Sequence, residues 1–176
     1  IPEDAQKSAG DDGYTDDIVV NTDQSLTLSG DIVVGDDATF NFGQNNSNDG
    51  VFTTTAGTSF TVPDVLVVNG GTGNDQFVIA NNMGGTLNGG AGNDTFEINT
   101  DTLVATLNGE GGSDRIIASD SLNDNIWSVA TDNTGTLTNN GNVVTFNDVE
   151  NLEGGSGVDA FTISALINST TGGEGL

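Results

Sequence analysis

The sequence predicts an all-β fold, a right-handed parallel β-helix (β-solenoid) with about 19–20 residues per rung, and three observations predict it. A glycine-aspartate motif starts at Gly70, Gly89 and Gly109, at nearly constant spacing. Between the copies lie short β-branched and aromatic runs bounded by Gly, Asn and Asp, and no 3.6-residue apolar period persists. A unit of this length cannot bury its apolar face alone, so neighbouring copies must stack on one core. Parallel crossover connections of this kind are right-handed.

Residues 1–17 are polar and acidic without any period, and read as a flexible lead-in. Residues 18–64 read as N-terminal capping rungs, less regular than the rungs after them. There Asp17-Ile18-Val19-Val20 is echoed by Asp31-Ile32-Val33-Val34, with Leu26-Thr27-Leu28 between them and Ala38 to Phe42 after. Gln44 to Gly50 is a polar loop, Phe52 to Thr55 and Ser59 to Val62 are strands, and Pro63 interrupts the ladder because it has no N–H. Residues 65–118 carry the regular repeat. Residues 119–151 depart from it: Asn125 to Val129, Thr136 to Thr138 and Val143 to Phe146 read as three strands joined by Asp/Asn/Gly turns, an elaborated rung. Residues 152–176 resume the repeat with a fourth motif that starts at Gly154 after a longer interval. A fifth, Gly172-Gly173-Glu174-Gly175-Leu176, stops short of its aspartate. That predicts a longer parent chain whose next residue is Asp.

Superimposing the motifs gives columns. Phe77, Phe96 and Ile116 form an inward one, because side chains alternate along a strand. Asn69, Asn88 and Asn108 form a second, best explained by side chains that hydrogen-bond along the stack. Asp75, Asp94 and Asp114 form a third, which packing does not explain. Carboxylates stacked about 4.8 Å apart repel, and a cation between them removes the penalty. Calcium takes six to eight oxygens from carboxylates and backbone carbonyls, and glycines allow the positive-φ turns that converge carbonyls on one point. Tight Gly-Asn-Asp turns without any ion are the plainer alternative. Asp132, nearly one repeat beyond Asp114, lacks the flanking glycines, and Trp127 reads as core.

The runs Gly70-Gly71-Thr72-Gly73-Asn74-Asp75-Gln76-Phe77-Val78 and Gly89-Gly90-Ala91-Gly92-Asn93-Asp94-Thr95-Phe96-Glu97 resemble the glycine- and aspartate-rich nonapeptide of the repeats-in-toxin family. The resemblance implies bound Ca2+ held by Gly71, Gly73, Asp75, Gly90, Gly92, Asp94, Gly109, Gly111, Asp114, Gly155, Gly157 and Asp159. In that family two copies usually make one turn; here there is one, so calcium is expected along one edge only. Glu110 replaces a glycine in the third copy. The Trp127 strand followed by Val149-Glu150-Asn151-Leu152-Glu153-Gly154-Gly155 resembles repeats of large bacterial filamentous-haemagglutinin-like surface proteins.

Composition narrows the function. Against 26 acidic residues stand only Lys7 and Arg115, a net charge of -24. Nucleic acid and anionic membrane surfaces are bound through Lys and Arg and are excluded as partners. Cations are favoured, since a chain this acidic repels itself when compact. There is no Cys and no His, hence no disulfide framework and no imidazole base. No apolar run approaches the roughly 18 residues of a membrane span. These features predict a calcium-stabilised structural module, not an enzyme, of a secreted or cell-surface bacterial protein such as an adhesin, surface fibre or matrix component. Its partners are calcium ions, copies of itself or neighbouring repeats, and a surface ligand that the sequence does not identify. Two alternatives fit less well. A calcium-dependent ice-binding solenoid needs a regular array, yet the position of Thr72 becomes Ala91, Gly112 and Ser156. A β-helix polysaccharide lyase or carbohydrate-binding module needs basic groups near a uronate, and two are too few.

Overall fold

A computed structural model describes residues 25–28, 31–33, 37–41, 51–54, 59–61, 65–103, 105–118 and 124–172. Expectations placed on residues 1–20, 34, 42, 44–50, 55, 62, 63, 119–123 and 173–176 lie outside the described residues. The first strands are β1 (Ser25–Leu28), β2 (Asp31–Val33), β3 (Asp37–Asn41), β4 (Val51–Thr54), β5 (Ser59–Thr61) and β6 (Val65–Gly71). Then come β7 (Gln76–Ile79), β8 (Thr86–Ala91), β9 (Thr95–Ile98), β10 (Ala105–Gly111) and β11 (Arg115–Ile117). The chain continues through β12 (Asn125–Thr131), β13 (Thr134–Asn139), β14 (Asn142–Asn147), β15 (Asn151–Glu153), β16 (Asp159–Ile163) and β17 (Ser169–Thr171). The protein is all-β, with no helix among the described residues.

Sheet I runs β1-β4-β7-β9-β11-β15-β17, and every neighbouring pair is parallel. Sheet II runs β16-β12-β13-β14-β10-β8-β6-β3, parallel except where β13 meets β12 and β14. A small third sheet pairs β2 with β5.

Sheets I and II share one core because each strand turns alternate residues inward. In sheet I the register aligns Phe52, Phe77, Phe96, Ile116 and Leu152, all buried. The expected Phe77, Phe96 and Ile116 column is thus present, one residue longer at each end. Phe77 and Phe96 stack with ring centroids 4.7 Å apart. Sheet II contributes Val68, Leu87, Leu107 and Phe146 in the same manner. Aromatic rings that bury roughly 150–250 Å² apiece dominate such a core, at about 25 cal/mol per Å².

The three strands expected between residues 119 and 151 form an antiparallel meander. From β11 the chain does not step to the free edge of β10. It enters sheet II two strand positions further out as β12, returns through β13, and only then lies beside β10 as β14. Fully buried Trp127 locks the insertion, stacked on Phe161 of β16 at 5.7 Å and edge-on to Phe146 at 6.1 Å. The first three motifs leave sheet II and enter sheet I. Before the fourth, the chain has already crossed into sheet I as β15, so this motif passes from sheet I to β16 in sheet II.

Candidate metal centre

The aspartate column forms where the glycine turn carries the chain from sheet II to sheet I. Asp75, Asp94 and Asp114 each immediately precede a sheet I strand and are 2%, 1% and 0% exposed. Each carboxylate folds back over the first glycine of its own motif. A Cβ on Gly70, Gly89 or Gly109 would collide with Oδ2 of Asp75, Asp94 or Asp114. This is why the motif opens with glycine.

The column is a directional chain of hydrogen bonds. The Asp75 N–H donates to Asp94 Oδ1 at 2.7 Å, and the Asp94 N–H to Asp114 Oδ1 at 2.7 Å. The Asp114 N–H donates to Glu150 Oε2 at 2.8 Å, while Asn133 Nδ2 donates to Glu150 Oε1 at 2.8 Å. One oxygen each of Asp94 and Asp114 therefore has a structural task. The other oxygens of Asp94 and Asp114 are buried without a hydrogen-bond partner.

Burial accordingly pushes the Asp94 carboxyl up to about 7, against the pull of the Asp75 N–H, with the charges of Asp114, Asp75 and Glu110 adding to the rise. Asp114 is pushed up to about 6, again chiefly by burial and against the pull of the Asp94 N–H, with Glu150, Asp148 and Glu110 adding to it. Buried, unpartnered carboxylate oxygen of this kind must take a proton or a cation. Hard oxygen donors match calcium.

Register refines the expected ligand set. Glu110 pairs with Gly90, which pairs with Gly71, and Gly111 pairs with Ala91. The residue equivalent to Gly73 and Gly92 is therefore Gly112, not Gly111: a Cβ there would run into the Gly92 carbonyl, as one on Gly92 would run into that of Gly73. Counting two residues back from each aspartate finds all three. The Gly111 carbonyl already accepts the Gly92 N–H at 2.7 Å. Glu150 continues the column beyond Asp114 and was missed; its signal is Glu150-x-Leu152, which repeats Asp114-x-Ile116. Asp159 stands apart in sheet II, opposite Asn125, whose Nδ2 donates to its Oδ1 at 2.8 Å. Its pKa is raised by burial, opposed by that hydrogen bond. Gly155 and Gly157 precede it there, away from the Asp75 to Asp114 column. Asp132 lies in the β12–β13 turn and accepts the Leu166 N–H. The asparagines form the expected ladder: Asn88 Nδ2 donates to Asn69 Oδ1 and Asn108 Nδ2 to Asn88 Oδ1, both at 2.7 Å. Asn147 extends it onto Asn108 at 2.8 Å.

Glu110 is held at φ 70, where its register partners Gly71 and Gly90 have φ 133 and 108. A left-handed side-chain residue costs about 1–2 kcal/mol, partly offset by the roughly 0.4–1 kcal/mol that glycine loses through unfolded-state entropy. Glu110→Gly also removes a negative charge that acts on both Asp94 and Asp114. A thermal melt in chelator should show it stabilised by up to about 1 kcal/mol.

No family model, curated protein or solved structure matches the chain.

Proposed function

We propose that this chain is a calcium-stabilised structural module of a secreted or cell-surface bacterial protein, built as a right-handed parallel β-solenoid of about 19–20 residues per rung. The observation that carries the reading is the pair of buried, unpartnered Oδ2 atoms of Asp94 and Asp114. Support comes also from the charge of -24 and from the motif. Calcium, when bound, supplies positive charge between neighbouring passes of the chain. Asp75, Asp94 and Asp114 provide carboxylate oxygens, and the Gly71, Gly73, Gly90, Gly92 and Gly112 turns bring carbonyls to the same edge. Calorimetric titration with calcium, alongside melting in millimolar calcium and in excess chelator, tests the reading. Absence of binding heat together with identical melts would overturn it.

The sign of the pH dependence follows from the raised carboxyls. In chelator the folded form keeps protons that the unfolded chain sheds from about pH 4 upward. Stability should therefore fall as pH rises towards the Asp94 value of about 7. Calcium needs the ionised carboxylates, so the rise in melting temperature that it produces should be small at pH 5 and full at pH 8. A calcium effect independent of pH would mean that these two groups are not ligands.

A further inference from the structure

The outer face of sheet II carries a row of hydroxyls that superimposing the motifs does not reveal. The register links Thr86 to Thr106, Thr106 to Thr145, Thr145 to Thr136, Thr136 to Ser128 and Ser128 to Thr162. These six positions occupy six consecutive strands, parallel and antiparallel alike. Val67 precedes Thr86 in the row, and Thr39 holds the register position beyond it. Each strand of the row alternates it with buried residues, such as Leu87, Leu107, Phe146 or Trp127, so the row faces away from the core. None of the six hydroxyls makes a hydrogen bond to a described residue.

On one side of this row lies the asparagine ladder. On the other lie Val143, Thr138, Ile126 and Ala160, aligned across four strands, with Val143 and Ile126 41% and 53% exposed. None of the described residues in these three rows is charged, although the chain has 26 acidic residues. Sheet I turns outward Glu97, Arg115 and Glu153, the last two paired at 3.8 Å. On β10 the exposed Glu110 follows Thr106 and Asn108 at the same alternation, so the uncharged area of sheet II ends at the asparagine ladder.

We propose that this face binds ice. Strands spaced about 4.8 Å apart put the row from Val67 to Thr162 over roughly 29 Å, and three rows about 6.6 Å apart span about 13 Å, an area of about 400 Å². That falls below the roughly 800 Å² per partner of a stable protein interface, which argues against a second copy. Sugar polymers are held by stacking on aromatic rings, and the outward rows contain none. An ice surface is uncharged, is hydrogen-bonding oxygen throughout, and repeats on a molecular scale. Each threonine offers it one group that both donates and accepts, and a methyl that sheds disordered water. A desolvated hydroxyl without a partner is unfavourable, so a surface supplying one per strand is selected. This row is distinct from the interrupted one at Thr72, and the inference does not rest on bound calcium.

The test is thermal hysteresis and ice-recrystallisation inhibition of the full chain, with melting recorded in calcium and in chelator. Wild type should hold a freezing gap. Thr106→Lys, at the middle of the row, should lose most of it without lowering the melting temperature. Thr95→Lys, on the outer face of sheet I, should retain it. No gap in the wild type, or an equal gap in Thr106→Lys, overturns the assignment. So does sedimentation with cellulose, or dimerisation, that Thr106→Lys abolishes in place of ice activity. The parallel melts separate this outcome from failure of the calcium reading, which would show as indifference to chelator.

Discussion

Asp94→Asn should lower the stability of the protein by about 5 kcal/mol in saturating calcium and leave it unchanged or slightly raised in chelator. Asp94 is the middle of its column, so it would serve the ions shared with Asp75 and with Asp114. Each ion present at a hundred times its dissociation constant contributes about 2.7 kcal/mol, and loss of the charge weakens both contributions. Asparagine keeps an oxygen for the Asp75 N–H, which the wild-type carboxylate accepts at 2.7 Å. Without an ion the substitution merely removes a buried charge. Asp94→Ala removes that acceptor as well and should cost a further amount of about 1–3 kcal/mol in both media, because a buried N–H is left unpaired. Denaturant melts of the two variants, each with calcium and with chelator, separate the contributions. Equal losses for Asp94→Asn in both media would leave the column as turn chemistry alone.

Gly92→Ala should destabilise the protein by about 3 kcal/mol or more in chelator, and by more in calcium, because separating the Gly73 and Gly92 passes also disturbs the turns assigned to the ion. Gly92 has φ 136, a conformation that only glycine adopts at low cost, and forcing a side chain into it takes about 1–3 kcal/mol. Its Cβ would also strike the Gly73 carbonyl oxygen. The obstacle is backbone, so relief requires two passes of the chain to separate, at the roughly 1–3 kcal/mol typical of overpacking. Gly111→Ala is the control. It has ordinary space around its Cβ and no positive φ, and should lie within about 0.5 kcal/mol of wild type. Denaturant melts of the two variants give the comparison. If Gly111→Ala proved the worse variant, the register of the third motif would be wrong.

The contrast between those two glycines shows what the sequence could convey. Motif spacing was enough to align Asp75 with Asp94 and Asp114, and Phe77 with Phe96 and Ile116, because identical local chemistry recurs at near-constant intervals. It was not enough in the third copy, where Glu110 stands in a glycine position and draws the alignment one residue out. Fixing the count on the aspartate, whose side chain covers the first glycine of its own turn, removes the ambiguity. Glu150 was hidden for a different reason. Its pass follows the β12–β14 meander, and the strand order that brings β14 rather than β12 beside β10 is a tertiary choice made by Trp127, Phe146 and Phe161. The hydroxyl row depends on the same choice, since Thr136 and Ser128 join it through antiparallel pairing that no fixed interval encodes.

The hydrogen bonds of the aspartate column all point one way, from each N–H to the carboxylate of the following pass. Each of these N–H groups is therefore satisfied by the pass that follows it, and each accepting carboxylate by the pass before it. Asp75 depends on Asp94 and Asp94 on Asp114, whereas Asp114 depends on Glu150, which is held independently by Asn133. At the Glu150 end the column is thus held by a residue outside it, Asn133. Each bond serves both partners: loss of the Asp114 carboxylate leaves the Asp94 N–H without its acceptor, and displacement of the Asp75 N–H leaves Asp94 Oδ1 without its donor.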